Sequence, residues 1–416
     1  MGKRLVFIDF SRGLAILYMI ILHAFLYRVV NQYKPLFEEI MTTSPIIVRI
    51  IATPFVFFSL WGSFFCVLSG IVFVFRTQQD YLSRKDFRAG RYFLQRGISG
   101  FLLIIIHYIW LSFLSPKSTE HPGEATYSLL TGTLEQWKFS SLNIMHYSTT
   151  GMLESIGVII IFLSLLGYFV YQRKEKQKSR FYGCFGIALL VTIAVSVFLD
   201  IWIENPNQFF NNLYDNNQLF LLIFLLKLTH NRFSLFPLIV FGFCGAFIGY
   251  NLNKDGFERS AFLILFLVGI SCIVAYIIIL FLGFDMMAGY TSTYVPLPLH
   301  LLNLGSQILF IAIFYLIFKN YQNKGQDRNP GIVRFFQMFS STSLTIYIFE
   351  SFASIILFRI LQNLYFKPIS EEFFIWTGFL LLTSFIWYVI LYFWRKIDYR
   401  YSVEWFLRKM RERIQF

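Results

Sequence analysis

Ten apolar stretches, long enough to cross a bilayer and separated by short polar connections, leave this chain essentially one kind of structure. They cover residues 6–30, 46–75, 93–114, 152–171, 183–203, 235–250, 262–284, 299–318, 335–361 and 373–394. A hydrocarbon core about 30 Å thick takes ~20 apolar residues per helix, and helices suit it because each satisfies its own backbone polar groups. Of the 416 residues 56% are apolar and 14% charged, against roughly 25% charged in a soluble domain. That balance excludes a soluble enzyme and a disordered chain. Residues 46–75 exceed one upright span and contain Pro54, so their first turns are expected along the interface. Residues 219–228 are too short to span and lead into Thr229, His230, Asn231 and Arg232, which reads as a re-entrant or interfacial helix.

The formal charge of +13 does not point to nucleic acid, because the Lys and Arg sit in short runs between apolar stretches, the pattern that orients membrane proteins. With the N-terminus in the cytoplasm, the inner connections carry Arg76, Arg84, Lys85, Arg88 and Arg91, then Arg173, Lys174, Lys176, Lys178 and Arg180, then Lys319, Lys324, Arg328 and Arg334. The expected fold is therefore an all-α polytopic transmembrane helix bundle. It has ten spans, eleven if 219–228 is counted as partly inserted, with both termini cytoplasmic. It forms one domain over 1–416, with 395–416 as a basic cytoplasmic tail. Residues 115–149, 204–218 and 285–298 form the outer loops, with Lys138 and Asn212 outside and Lys176 inside. The first helix imitates a signal peptide, but Asp9 and Arg12 interrupt it and no small-residue cleavage site follows, so it is expected to be retained. Cys66, Cys184, Cys244 and Cys272 each lie in an apolar stretch without Cys-x-x-Cys spacing and read as small core residues.

Ionisable residues inside hydrocarbon carry the functional signal, since each needs a partner or water. Asp9 and Arg12 share a face near the inner end of the first helix, and His23 follows Arg12 by eleven residues. Eleven residues are about three turns, so Arg12 and His23 share a stripe roughly 16 Å long. That is the reach of a pantetheine arm, with phosphates at Arg12 and a thioester at His23. The plainer readings are an Arg12 anchor paired with Asp9 and a hydrogen-bonded packing role for His23. His107, Glu154, Asp200, His300 and Glu350 fall in the outer half of their spans and could converge on His23, although Asp200 and His300 also suit the interface. Glu350 is placed to orient and charge-stabilise an imidazole as a triad carboxylate does. Arg91 and Arg96 open the third span and suit a polyphosphate, or topology alone. Gly242, Gly245 and Gly249 along the sixth span, which opens with Phe236-Pro237, suit close helix packing. No zinc-ligand spacing or phosphate-binding glycine loop occurs in the sequence.

The run Asp9-Phe-Ser-Arg12-Gly13-Leu-Ala15-Ile16, with His23 beyond it, resembles the opening motif of the acyltransferase-three family of membrane O-acyltransferases. Apart from the His, it also resembles the opening of the heparan-alpha-glucosaminide N-acetyltransferase family. Further matches are Phe64-Phe65-Cys66-Val67-Leu68-Ser69-Gly70, Arg91 and Arg96, Phe236-Pro237 with Gly245 and Gly249, and Ser343-Leu344-Thr345-Ile346-Tyr347. Glu404-Trp405 with Arg408 is similar to the closing motif of a related bacterial membrane family. The resemblance implies transfer of an acyl group, usually acetyl, from cytoplasmic acetyl-CoA or another acyl-CoA to a hydroxyl or amine of a glycan or other cell-envelope acceptor on the outer face. His23 and Glu350 are then the expected catalytic pair and Arg12, Arg91 and Arg96 the donor-binding set, with no metal. The implied partners are membrane lipid, acyl-CoA and the acceptor, and the implied location is the bacterial cytoplasmic membrane. Two departures stand out: 31–44 holds no His to match the loop His of the heparan acetyltransferases, and Glu350 stands where many relatives have His. The alternatives are a transporter or flippase for a polar or lipid-linked solute, and a non-catalytic partner in an envelope complex.

Overall fold

Each apolar stretch becomes helical wherever the computed structural model describes it, namely over residues 5–30, 61–83, 87–116, 126–148, 151–172, 176–203, 206–230, 234–253, 256–282, 297–319, 331–364 and 373–413. The spanning helices are α1 (Val6–Ala24), α2 (Phe64–Ser83), α3 (Ala89–Phe113), α5 (Met152–Tyr171), α6 (Gln177–Trp202), α10 (Arg259–Phe281), α11 (Leu297–Phe318), α13 (Ser343–Leu364) and α14 (Phe373–Arg395). These nine are long and apolar enough to cross a membrane among the described residues. The shorter α9 (Leu235–Tyr250) fills the sixth position, which gives the ten expected apolar segments in order. Between them lie α4 (Leu129–Gln136), α7 (Pro206–Asp215), α8 (Leu219–Leu225) and α12 (Gly331–Ser341), with α15 (Val403–Arg413) at the end. Two short strands, Leu252–Asn253 and Gly256–Phe257, form an antiparallel pair beside α9.

Small residues decide which helices touch. α2 and α9 pack along most of their length, and a methyl at Gly245 would stand 2.1 Å from the Val67 carbonyl oxygen, so only hydrogen fits there. The expected role of the glycine stripe is thus visible, with Gly249 against Ile71 in the same way. α1 rests on α12, α13, α14 and α11. At Gly13 the α12 backbone comes so close that a methyl would lie 1.9 Å from the Phe336 carbonyl.

Three expectations change. The second apolar stretch was expected to end at residue 75, but α2 continues through Arg76 to Ser83, because Gln78 bonds the Tyr250 carbonyl and Asp80 meets Tyr92 and Arg96. The single ninth segment 335–361 is two helices broken at Thr342. Hydroxyls of Ser341 and Thr342 turn back onto the Gln337 and Met338 carbonyls at this point. The tail is not merely a basic appendage, since Glu404 of α15 docks on the start of α13. Its carboxylate accepts the Leu344 and Thr345 N–H groups at 2.6 and 3.2 Å and the Thr345 hydroxyl at 2.6 Å, a carboxylate at the positive end of a helix. Burial holds this carboxyl above the usual carboxylate range. Pro54, residues 31–44, and Arg84, Lys85, Arg173, Lys174, Lys324 and Arg328 lie outside the described residues, as does most of 285–298.

Lys176 and Asn212 flank α6 at opposite ends. On the Asn212 side, Met145 packs with Phe210 and Leu213, joining the segment before α5 to α7. His146 knits this cap: Nε2–H donates to the Leu111 carbonyl at 2.9 Å and lies 2.8 Å from the Ser115 hydroxyl, while Nδ1 accepts from Thr126 at 2.9 Å. Burial pushes its pKa down. Two predictions follow from these contacts. Gly245→Ala should lower stability by about 1–3 kcal/mol through overpacking, whereas Gly183→Ala, with open space around it, should change it by less than about 0.5 kcal/mol; thermal unfolding in detergent checks both. Below the ordinary imidazole pKa of ~6.5 the unfolded cap binds a proton that folded His146 resists, so cap stability falls as pH drops below about 6.5. Hydrogen exchange over 126–148 should therefore quicken between pH 7 and 5 beyond its intrinsic change, and His146→Asn should remove that pH dependence.

Candidate active site

The end of α1 departs from regular geometry where its polar residues face α13. In an α-helix, residues five apart are about 140° out of step. Residues Phe25–Val30 instead form a π-helical turn, whose i to i+5 bonding stacks such residues. His23 and Arg28 therefore both reach the same stretch of α13. His23 Nδ1 lies 2.6 Å from Glu350 Oε1, and the carboxylate requires the proton on Nδ1. Nε2, with its lone pair, has no hydrogen-bond partner among the described residues on a side chain 21% exposed, whereas the Glu350 side chain is only 2% exposed. Ser351 donates to the same Glu350 oxygen at 2.8 Å, and Oε2 is buried without a donor among the described residues. Tyr27 places its ring 5.1 Å from the imidazole. One turn further on, Arg28 donates to the Ser351 carbonyl at 3.1 Å, the Ser354 hydroxyl at 3.5 Å and Glu135 of α4 at 3.3 Å.

A second buried cluster lies beside the first. Glu154, in the first turn of α5, accepts from Lys227 at 2.8 and 2.9 Å and from the Tyr108 hydroxyl at 3.0 Å. Lys227 sits on another π turn, Leu226–His230, which follows α8 and fixes the short apolar helix to the bundle. His107 Nε2 stands 3.5 Å from Glu154, and Gly151 admits the ring so closely that a methyl there would fall 2.2 Å from it. Removing one partner of such a buried pair strands the other charge, typically at 3–5 kcal/mol. The clusters touch through Trp110 and Tyr347, whose rings are 5.2 Å apart, each three residues from His107 and Glu350. His107 and Glu154 thus converge with Lys227 rather than on His23. His300 rests edge-on against Phe241, and the Asp200 side chain lies outside the described residues.

Arg12 occupies the unbroken stripe of α1 below His23, half-buried and without an ion pair among the described residues. The Asp9–Arg12 pairing expected as the plainer reading does not form: Asp9 accepts from Ser340 at 3.5 Å through one oxygen, and its other oxygen is buried without a partner among the described residues. Arg91 is exposed at the start of α3. Arg96 is engaged by the Tyr92 hydroxyl at 2.9 Å and by Asp80 at 3.7 Å. α3 packs chiefly on α5 and α1 chiefly on α12. Arg28, Glu135, Lys227 and Arg359 escaped the sequence reading. Arg28 and Lys227 carry the usual signal, a charge inside an apolar run, but each sits near the end of its run, where a charged head ordinarily reaches the interface.

Among the described residues, no group of three His, Cys, Asp or Glu side chains is placed to hold a metal. No curated protein and no solved structure gives a significant match to the chain. The acyltransferase domain of the acyltransferase-three family matches residues 5–393, which takes in every spanning helix and stops just before the end of α14. With nine long apolar helices and a match of that length, this integral multi-pass membrane protein belongs to the acyltransferase-three family and is a membrane acyltransferase.

Proposed function

We propose that the protein moves an acyl group, in the first instance acetyl, from cytoplasmic acyl-CoA to a hydroxyl or amine of a glycan or other cell-envelope acceptor on the outer face of a bacterial cytoplasmic membrane. The observation that carries this reading is the 2.6 Å bond between His23 and Glu350. It supports a tautomer in which Nδ1–H points at the carboxylate and the Nε2 lone pair is left to take a proton. An acceptor hydroxyl is a poor nucleophile at neutral pH. As its oxygen attacks the thioester carbonyl, Nε2 takes its proton and Glu350 offsets the imidazolium charge. The tetrahedral intermediate collapses, the C–S bond breaks, and the CoA thiolate leaves with the proton from Nε2. Proton and acyl group are both conserved.

The donor is held, in this proposal, by Arg12, Arg91 and Arg96, since guanidinium groups bind phosphate through paired charge-assisted hydrogen bonds. Arg12 leads the set, because it has no competing ion pair among the described residues and stands roughly 16 Å along the helix from His23. Arg91 is exposed, whereas Arg96 must share its charge with Asp80.

The test is purified protein in liposomes with radiolabelled acetyl-CoA. His23→Ala should cut transfer about 100- to 10,000-fold with donor affinity nearly unchanged, and Arg12→Lys should weaken CoA binding about tenfold although it keeps the charge. Label left on the protein without acceptor identifies an acyl-histidine route; its absence identifies direct transfer. A His23→Ala protein that keeps most of its transferase activity overturns the reading.

A further inference from the structure

Arg28 is buried, 2% exposed, yet poorly satisfied. Its hydrogen bonds measure 3.1, 3.3 and 3.5 Å, where charge-assisted bonds normally close to about 2.7–2.9 Å. Its anionic partner, Glu135, comes from α4 in the connection between spans, not from the bundle itself. The pairing is single, and Glu135 Oε2 is left buried without a donor among the described residues. Arg359 of α13 approaches the same residue from the other side. It donates to the Glu135 backbone carbonyl and to the Gln362 side-chain oxygen at 3.2 Å, packs its guanidinium 5.6 Å from the Trp137 ring, and leaves its own Nε–H without an acceptor among the described residues. Two guanidinium groups therefore meet at Glu135, Arg28 on its carboxylate and Arg359 on its backbone carbonyl, with one donor and one acceptor unmatched among the described residues.

We propose that Arg28 and Arg359 form a subsite for an anionic group of the acceptor, a carboxylate or a phosphate, and that Glu135 occupies its place until the acceptor arrives. A bidentate anion would shorten the Arg28 bonds and give the Arg359 Nε–H an acceptor, which the one-pronged Glu135 contact does not do. The anion takes the place of the Glu135 carboxylate, and room for the rest of the acceptor comes from α4 moving aside. The π turn sets the geometry: Arg28 lies one turn beyond His23 on the same face, so the anionic group and the reacting hydroxyl or amine should be roughly 7 Å apart. This inference rests on His23 as the reaction centre, but its test does not.

The experiment measures binding alone, with the full-length protein in detergent, no acyl donor, and glucuronate, glucose 1-phosphate and glucose as probes. An anionic probe should bind the wild type, glucose should not, and Glu135→Gln should tighten anion binding about tenfold by removing the internal competitor. Arg28→Lys, which keeps the charge and loses the fork, should weaken it about tenfold, as should Arg359→Gln. Preference for glucuronate assigns the subsite to a carboxylate; preference for glucose 1-phosphate assigns it to a phosphate. If neither anion binds, or if Glu135→Gln and Arg28→Lys bind as the wild type does, Glu135 is only a latch and the proposal is wrong. Loss of transfer in His23→Ala is a separate readout, so this subsite and the transfer reaction fail independently.

Discussion

The hydrogen bond from the His23 imidazole to the Glu350 carboxylate is the constraint around which the rest of the bundle is arranged. A carboxylate 2% exposed inside a membrane protein is tolerable only where donors are fixed around it. The fold supplies them from α1 and from Ser351. Holding α1 and α13 together at this point requires α12 to pass beside α1, which Gly13 permits. It also requires α13 to begin inside the protein after the break at Thr342. Beginning there exposes backbone N–H groups, and Glu404 of α15 accepts two of them. The family match ends at residue 393, so this cap comes from a segment beyond it.

Both π turns serve the same physical end. Each puts a long cation on a face that regular α geometry would have turned away, Arg28 toward α13 and Lys227 toward Glu154. π turns are uncommon and gather at functional sites. Here each stands beside a largely buried ion pair, Arg28 with Glu135 and Lys227 with Glu154. The aromatic pair Trp110 and Tyr347 stands where the clusters meet, so a change in one has a packed route to the other. Along this first helix and its π turn, Arg12 stands at one end, His23 three turns on and Arg28 one turn further, the order in which the proposed donor site, reacting group and acceptor-side cation would follow one another.

Much of this was legible in the sequence, and the limits have physical causes. Apolar runs of span length between Lys and Arg runs identified every spanning position, because lipid leaves the backbone so few options. Asp9, Arg12, His23 and Glu350 stood out as ionisable groups in apolar runs. Glu350 was also expected to orient an imidazole, from its place in the outer half of its span and from the family resemblance, and the contact with His23 spans 327 residues. Asp9 and Arg12 show the opposite case, because helical spacing allows a pair that tertiary packing does not make. Arg28 went unread because it sits near the end of its apolar run, where a charged head ordinarily reaches the interface. Ser340, Ser341, Thr342 and Ser343 did announce the break in the ninth segment, through hydroxyls that compete with the helical backbone. The surrounding apolar residues outweighed that signal.

The central claim is that Glu350 makes His23 an effective base by fixing its tautomer and offsetting the charge it acquires. Single-turnover acyl transfer by Glu350→Gln protein, saturated with acyl-CoA and supplied with acceptor, tests this most directly. The glutamine keeps an oxygen that can accept from Nδ1–H but carries no charge. The account predicts transfer slowed about 100- to 10,000-fold with donor affinity unchanged. Transfer at the wild-type rate would contradict it and reduce the His23–Glu350 contact to a packing interaction.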